Sequence, residues 1–214
     1  MEIKSTAVAG LLSVLVLFFF SGCSATKEGV KNERETGIKE QEFPKPALEL
    51  IDQLWTEARS TASYYKQYDA EQELYEIKFI AENGSWSLAF FPNGDPYDAE
   101  KLLAGSSEIP SEALKNMTTY LNKRFTKNWE MVRIQQRFVL IDPDDEPYEL
   151  LEEIVYPDDD DDGYYDDDIA IQYEIEVAGS GADDFGTYEL LFDDNGSLIE
   201  SSKILNPAED AMWY

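Results

Sequence analysis

The sequence predicts an α+β protein built from two tandem units, each a helix packed on a small antiparallel sheet. Two observations predict this fold: a repeated pattern of strands and turns, and an apolar helical stripe ahead of each set of strands. Residues 88–94 read Leu-Ala-Phe-Phe-Pro-Asn-Gly and residues 190–196 read Leu-Leu-Phe-Asp-Asp-Asn-Gly. Each apolar run therefore ends in Asn-Gly, the dipeptide best suited to a tight turn between strands.

Alternation of side chains supports the strands of both copies. Tyr173, Ile175 and Val177 would face one side of a strand and Glu174 and Glu176 the other. The matching segment of the first copy begins at residues 75–77, which also read Tyr-Glu-Ile. A further strand is expected over 129–141 in the second copy, although its apolar residues alternate less regularly.

A helix is predicted before each group of strands. In the first copy the apolar positions recur at spacings of three and four, at Leu48, Ile51, Leu54, Trp55 and Ala58. In the second copy the sequence Ile-Pro-Ser-Glu opens a helix in which Ser111 is the candidate N-cap. The apolar side chains that follow at helical spacing are Leu114, Met117, Leu121 and Phe125.

The N-terminus has the pattern of an export signal. A short polar start with one lysine precedes an apolar run over 7–20, and Ser-Gly-Cys closes it at Cys23, the sole cysteine of the chain. The run is too short to span a bilayer comfortably, since about 20 residues are needed. The segment resembles a bacterial lipoprotein signal, which implies cleavage before Cys23, acylation of that residue and location in the cell envelope. Ser24 carries no acidic retention signal, which by analogy with lipoproteins favours the outer membrane.

The composition of the mature chain excludes several functions. The formal charge is −28 and there is no histidine, so nucleic acid and anionic lipid surfaces are repelled, and the usual general base and zinc ligand are missing. Lipidation of Cys23 would leave no thiol for catalysis or a disulfide. No Gly-rich phosphate loop or nucleophile elbow occurs, and nothing selects a catalytic pair among the many carboxylates. We therefore expect a non-enzymatic protein with no required cofactor.

The segments quoted above carry a family resemblance. The Ile-Pro-Ser-Glu-Ala helix start, the strand near Trp129, the Tyr-Glu-Ile strand and the closing Phe-Asp-Asp-Asn-Gly turn are similar to those of a PepSY-like, β-lactamase-inhibitor-like domain. The resemblance is clearer in the second copy, and it implies secreted or lipid-anchored proteins that bind or restrain other proteins. The expected organisation is a signal peptide (1–22), a flexible tether (23–42), a first unit (43–107) and a second unit (108–214).

The second unit departs from that family by an acidic insertion over 142–168, which holds fifteen carboxylates and no Lys or Arg. Its spacing can be compared with that of a calcium loop, in which Asp158, Asp160, Asp162 and Asp166 would take the first, third, fifth and ninth positions. Gly163 stands at the sixth position, but the twelfth is Ile169 instead of a bidentate Glu. Ca²⁺ binding, a solvated acidic loop and an acidic patch for a basic partner all stay open.

Exposed-looking aromatic residues suggest where a partner would bind. Tyr164 and Tyr165 lie inside the acidic insertion, where core packing is less expected, and tyrosine is a favoured interface anchor. Other aromatic residues of this kind, which in small sheets more often fill the core, are Trp55, Tyr64, Tyr65, Tyr68, Trp213 and Tyr214. The sequence thus predicts a lipid-anchored envelope protein that recognises, and in the process restrains, a protein or peptide, with a basic partner favoured by the charge. The alternative is a calcium-responsive envelope module.

Overall fold

A computed structural model describes residues 27–31, 35–69, 72–140, 151–152, 154–155, 169–181 and 185–204. Ten strands and three α-helices with full bounds lie in these ranges, with two short 3-10 turns at Glu40–Glu42 and Ser106–Glu108. Residues 151–152 and 154–155 are helical as well. The helices are α1 (Lys45–Leu54), α2 (Ala58–Thr61) and α3 (Ser111–Arg124). The strands are β1 (Lys27–Lys31), β2 (Glu35–Ile38), β3 (Ser63–Asp69), β4 (Gln72–Ala81), β5 (Gly84–Phe90), β6 (Pro96–Leu102), β7 (Asn128–Leu140), β8 (Ile169–Ser180), β9 (Phe185–Asp193) and β10 (Leu198–Ile204).

All ten strands form one sheet, in the order β1-β10-β9-β8-β7-β6-β5-β4-β3-β2. Strands β2 to β10 follow one another as an antiparallel meander, and β1 joins β10 in parallel. The prediction of two separate helix-on-sheet units is therefore wrong. Strand β6 of the first copy pairs directly with β7 of the second, from Asp98 opposite Val139 to Leu102 opposite Gln135. Backbone hydrogen bonds thus continue across the expected boundary, because an unpaired β6 would leave its polar groups without partners.

The two Asn-Gly turns occupy equivalent places in the repeat. Gly94 and Gly196 both have positive φ, at 97° and 79°, and both turns are closed by hydrogen bonds across the hairpin, from Phe91 N to Asp95 O and from Asp193 N to Ser197 O. Each glycine packs directly against the first turn of the helix of its own copy, α1 or α3. The predicted turns are confirmed, and the contact with the helix explains why the position needs a residue without a Cβ.

The hydrophobic core lies on one face of the sheet, beneath the helices. Residues paired in register share a face, and β4 and β5 place Ile77 opposite Leu88 and Phe79 opposite Trp86. The predicted apolar stripe of α1 covers this half, where Leu48, Ile51 and Leu54 are buried. The other half packs under α3, with Met117 and Leu121 fully buried against β8 and β9. Tyr173, Ile175 and Val177 of β8 face this core, as their alternation predicts.

Several local predictions need correction. Helix α3 begins at Ser111, and Pro110 is the N-cap with no side-chain cap, so Ser111 is not the cap; proline suits a helix start because the first N–H groups have no intrahelical partner. Trp55 is buried at 5% exposure, since it packs on Phe79 and Trp86. Strand β3 was not expected at all. It pairs along its length with β4, and its Tyr64 packs against Phe43.

The acidic insertion is not wholly a solvated loop. It connects β7 and β8, and β8 begins at Ile169 as expected. However, its helical residues Leu151, Ile154 and Val155 are 1%, 4% and 7% exposed and belong to the first core cluster, together with Phe138. Burial of each of these apolar side chains stabilises the folded state by about 1.5–3 kcal/mol. Part of the insertion is thus a structural element of the core.

The segment expected to be a flexible tether supplies both edges of the sheet. Strand β1 lies beside β10 and β2 lies beside β3, with only residues 32–34 between them. A flat sheet of ten strands would be about 43 Å wide at a spacing of about 4.8 Å, whereas the chain from Lys31 to Glu35 spans at most about 14 Å. The sheet therefore curls until its two edges meet at one corner.

Candidate functional site

The face of the sheet opposite the helices carries charged and polar side chains in its centre. We call it the polar face; no helix of the described residues belongs to it. The alternation of strand residues builds it, because Glu76 and Lys78 lie between the core residues Tyr75, Ile77 and Phe79 of β4. Its central residues are Glu76 and Lys78 of β4, Ser87 of β5, Asp98 and Glu100 of β6, Gln135 and Arg137 of β7, and Glu174 and Glu176 of β8.

One network on the polar face is centred on Glu76, which is 5% exposed. Ser87 Oγ and Gln67 Nε2 each donate a hydrogen bond to one of its carboxylate oxygens. Lys78 Nζ lies 3.6 Å from Glu76 Oε1 and 3.2 Å from both carboxylate oxygens of Glu35. The ammonium also lies 5.1 Å from the ring centre of Tyr65, so β2, β3, β4 and β5 all contribute to this network.

Burial raises the pKa of Glu76 to about 7, and the carboxylates of Glu35 and Asp98 add to the rise. The Lys78 ammonium and the hydrogen bond from Ser87 act in the opposite direction but do not cancel it. Glu35 and Glu76 thus share the single cation Lys78. Glu76 is the more buried of the two, so its removal from water disfavours its ionisation. Glu76 therefore changes its charge close to neutral pH.

A second network joins β6 and β7. Arg137 Nη2 lies 2.7 Å from Asp98 Oδ2 and its Nε donates to the same oxygen at 2.8 Å. Gln135 Nε2 donates to Glu100 Oε2 at 2.7 Å, and Arg137 lies 3.9 Å from Glu100. Burial raises the pKa of Glu100 well above its usual value, with Glu174 and Asp98 adding to the effect. Burial alone would lower the pKa of Arg137, but Asp98 and Glu100 outweigh it, so this guanidinium stays charged.

The polar face carries an excess of negative charge. Arg133 pairs with Glu176 at 2.6 Å, which completes three salt-bridged groups across β4 to β8. Together these groups hold the three cations Lys78, Arg133 and Arg137 and six carboxyl groups: Glu35, Glu76, Asp98, Glu100, Glu174 and Glu176. Burial raises the pKa of two of them, Glu76 and Glu100, and the other four still outnumber the cations. Ion pairs fix the side chains in place, and the carboxylates in excess of the cations favour a positively charged group beside this face.

The site residues predicted from the sequence lie outside the described residues. This holds for the lipidation residue Cys23, for the aromatic pair Tyr164 and Tyr165, and for the proposed calcium ligands Asp158, Asp160, Asp162 and Asp166. Over the described ranges, no group of three or more Asp, Glu, His or Cys side chains is arranged to hold a metal ion. In the same ranges, no helix combines the length and the apolar character needed to cross a membrane.

The sequence interpretation missed the polar face, although the signal for it was present. Strand β4 reads Tyr-Glu-Ile-Lys-Phe, with oppositely charged residues at alternate positions between large apolar ones. In β6, Asp98 and Glu100 flank Ala99, which is 1% exposed. Reading the outward positions of every strand together would have collected these charges on one surface, once the strands were known to share a sheet.

No protein-family model matches the chain, and no curated protein matches it. Three solved structures from Bacteroides are similar to it. A BLIP-like protein from Bacteroides fragilis has 12% identity, a TM-score of 0.46, and coverage of 78% of this chain and 91% of its own. A protein provisionally described as periplasmic, from Bacteroides eggerthii, has 11% identity, a TM-score of 0.49, and coverage of 78% and 94%. A DUF2874 family protein from Bacteroides ovatus has 11% identity, a TM-score of 0.48, and coverage of 79% and 96%.

Proposed function

We propose that this chain is a non-enzymatic binding protein of the cell envelope that holds a basic protein or peptide against the polar face. One observation carries the proposal: a curved sheet whose helix-free face holds ion-paired side chains in which the carboxyl groups outnumber the cations. Pre-ordered charges cost little entropy on binding and select a partner by its charge. The curl of the sheet favours a partner that offers a protruding loop or chain end.

A binding role is supported over catalysis by the chemistry of the face. A carboxyl group with a pKa near 7 would suit general acid–base catalysis, but both oxygens of Glu76 already accept hydrogen bonds from Ser87 and Gln67. The chain also contains no histidine. These contacts favour electrostatic recognition over proton transfer as the role of the polar face.

Location in the envelope is supported by the N-terminal apolar run that ends at Cys23 and by the periplasmic description of one structural neighbour. Under this proposal Cys23 is acylated and anchors the chain, with the outer membrane as the favoured site. Labelling with a fatty-acid probe should mark the wild type and leave Cys23→Ala unlabelled. Equal labelling of both proteins would exclude the anchor.

Site-specific photo-crosslinking in the producing cells tests the use of the polar face. A photoreactive phenylalanine analogue is placed at Tyr65 or Gln172 on the polar face, and, as matched controls, at the exposed positions Lys115 or Asn122 of α3. We expect one discrete adduct of the same mass from both polar-face positions and none from α3. Adducts from α3 alone, or no discrete adduct from either polar-face position, would contradict the proposal.

A further inference from the structure

A cavity of about 230 Å³ lies on the helix side of the sheet, where the acidic insertion meets the core. Its apolar lining comes from Trp86 and Phe138, whose rings stack at 6.2 Å, and from Ile154 and Val155 of the insertion. The insertion thus adds side chains that the repeat itself does not have. The cavity is smaller than most pockets for drug-sized ligands, and a single ring with a short substituent fits its size.

The polar part of the cavity consists of hydrogen-bond donors and one positive charge. Lys101 and Gln136 are register partners on β6 and β7 and both line it. Asn83 accepts a hydrogen bond from Trp86 Nε1 at 2.9 Å through Oδ1, which leaves its Nδ2 as a donor. Lys101 Nζ lies 5.6 Å from the ring centre of Trp86. The ammonium and the amide donors suit an anionic group on a ligand.

Lys101 differs in its partners from the four sheet cations that form the salt bridges given below. Lys66, Lys78, Arg133 and Arg137 each lie within 3.2 Å of a carboxylate oxygen. Across the described ranges, Lys101 has no such carboxylate partner, and its one contact of this kind is with the Trp86 ring. Lys101 therefore places one positive charge in the cavity without a carboxylate partner among the described residues, and an anionic group on a ligand would neutralise it.

We infer that this cavity is a binding site for a small aromatic carboxylate. The ring would lie against Trp86 and Phe138, and the carboxylate would face Lys101 with the amides of Gln136 and Asn83 beside it. A cation would be repelled by Lys101, and a neutral ring would leave the ammonium without a counter-charge. The negative field of the whole chain opposes any anion, so the local charge of Lys101 decides whether it binds. This site does not depend on the polar face or its partner.

Calorimetric titration of the intact mature chain with phenylacetate tests the site, with phenylacetamide as a neutral probe of the same shape. We expect saturable binding of phenylacetate with a Kd of about 1 mM or tighter, as suits ten heavy atoms, and at least tenfold weaker binding of phenylacetamide. Lys101→Met should weaken phenylacetate binding at least tenfold, while Lys115→Met on the exposed surface of α3 should leave it unchanged.

A second variant keeps the test valid if Lys101→Met fails to fold. If Lys101→Met does not melt cooperatively, Gln136→Leu serves in its place and should weaken phenylacetate binding severalfold. The inference is overturned if phenylacetate shows no saturation up to 20 mM, which is about twentyfold the expected Kd. It is also overturned if the folded Lys101→Met protein, or Gln136→Leu where it replaces it, binds phenylacetate as the wild type does.

Discussion

Glu76 shows how a single residue on the polar face couples charge to stability. The carboxyl group is almost fully buried and shares Lys78 with Glu35. Its pKa rises from the usual 4.5 to about 7 in the folded chain. Between these two values the folded state binds more protons than the unfolded state, so stability falls as the pH rises. The contribution is fully present below about pH 4.5 and is lost once the pH passes about 7.

We predict that Glu76→Gln stabilises the protein at pH 8 and flattens its stability between pH 5 and pH 8. The amide keeps the size of the side chain and stays neutral at every pH, so the cost of a buried charge disappears. The shift of the pKa sets an upper limit of about 3 kcal/mol on the gain. Urea unfolding at several pH values measures it, with Glu130→Gln at an exposed position of β7 as the control. Equal pH profiles for Glu76→Gln and the wild type would contradict the assignment.

The alternation in β4 was enough to place Glu76 and Lys78 on one side of a strand, but not to identify their neighbours. Glu35 is 43 residues from Lys78 in the sequence, and Asp98 lies two strands away from Glu76. A pKa depends on burial and on nearby charges, and both follow from strand order. The raised pKa of Glu76 therefore could not be predicted before the order of the strands in the sheet was known.

At the scale of elements, the acidic insertion differs most from what its sequence predicts. The run of aspartates dominates its composition, and a solvated acidic loop was one of the three interpretations that the sequence left open. Leu151, Ile154 and Val155 instead cover Phe138 and neighbouring core residues. Three apolar positions three and four residues apart are too short a pattern to predict a buried helical turn. Replacement of the whole insertion is now expected to destabilise the fold.

We predict that Leu151→Ala lowers the free energy of unfolding by about 2–5 kcal/mol, because a fully buried leucine leaves a cavity behind. Its neighbour Glu152 is exposed, so Glu152→Ala is a matched control and should change stability by less than about 0.5 kcal/mol. Chemical denaturation of both variants gives the comparison. A Leu151→Ala protein as stable as Glu152→Ala would show that this part of the insertion does not contribute to the core.

The two Asn-Gly turns provide a prediction for the repeat. A Cβ on Gly196 would lie against the carbonyl oxygen of Ala113, closer than atoms can approach, and a Cβ on Gly94 would lie 2.7 Å from Pro46 Cβ. Gly94→Ala and Gly196→Ala should therefore each destabilise the fold by about 1–3 kcal/mol, from positive φ and overlap together. Gly37→Ala is the control, since nothing lies within 4 Å of its Cβ position. Equal melting temperatures for all three variants would contradict the contact between the turns and the helices.

At the scale of the whole molecule, the repeat was predictable and its arrangement was not. Helices α1 and α3, the strand near 129–141 and both turns followed from local patterns of apolar residues. The predicted first helix was too long, because α1 ends at Leu54 and the stripe position Ala58 begins α2. Whether β6 pairs with β7 cannot be read from those patterns, because edge strands and central strands of such a sheet alternate alike. The polar segment over 23–42 has no apolar periodicity, so β1 and β2 gave no local signal. Their pairing depends on the backbone of β10 and β3.

The position of β1 determines how the molecule responds to tension. A pull on the N-terminus reaches β1 first, and β1 is held to β10 by a parallel ladder of five residue pairs. Force along the strand shears all these pairs at once, so the ladder bears the load before it reaches β2 and the rest of the sheet. When the ladder yields, the two edges of the sheet are no longer tied together. An optical-trap experiment pulling from residue 23 should record this as a short first extension, separate from the unfolding of the remaining sheet.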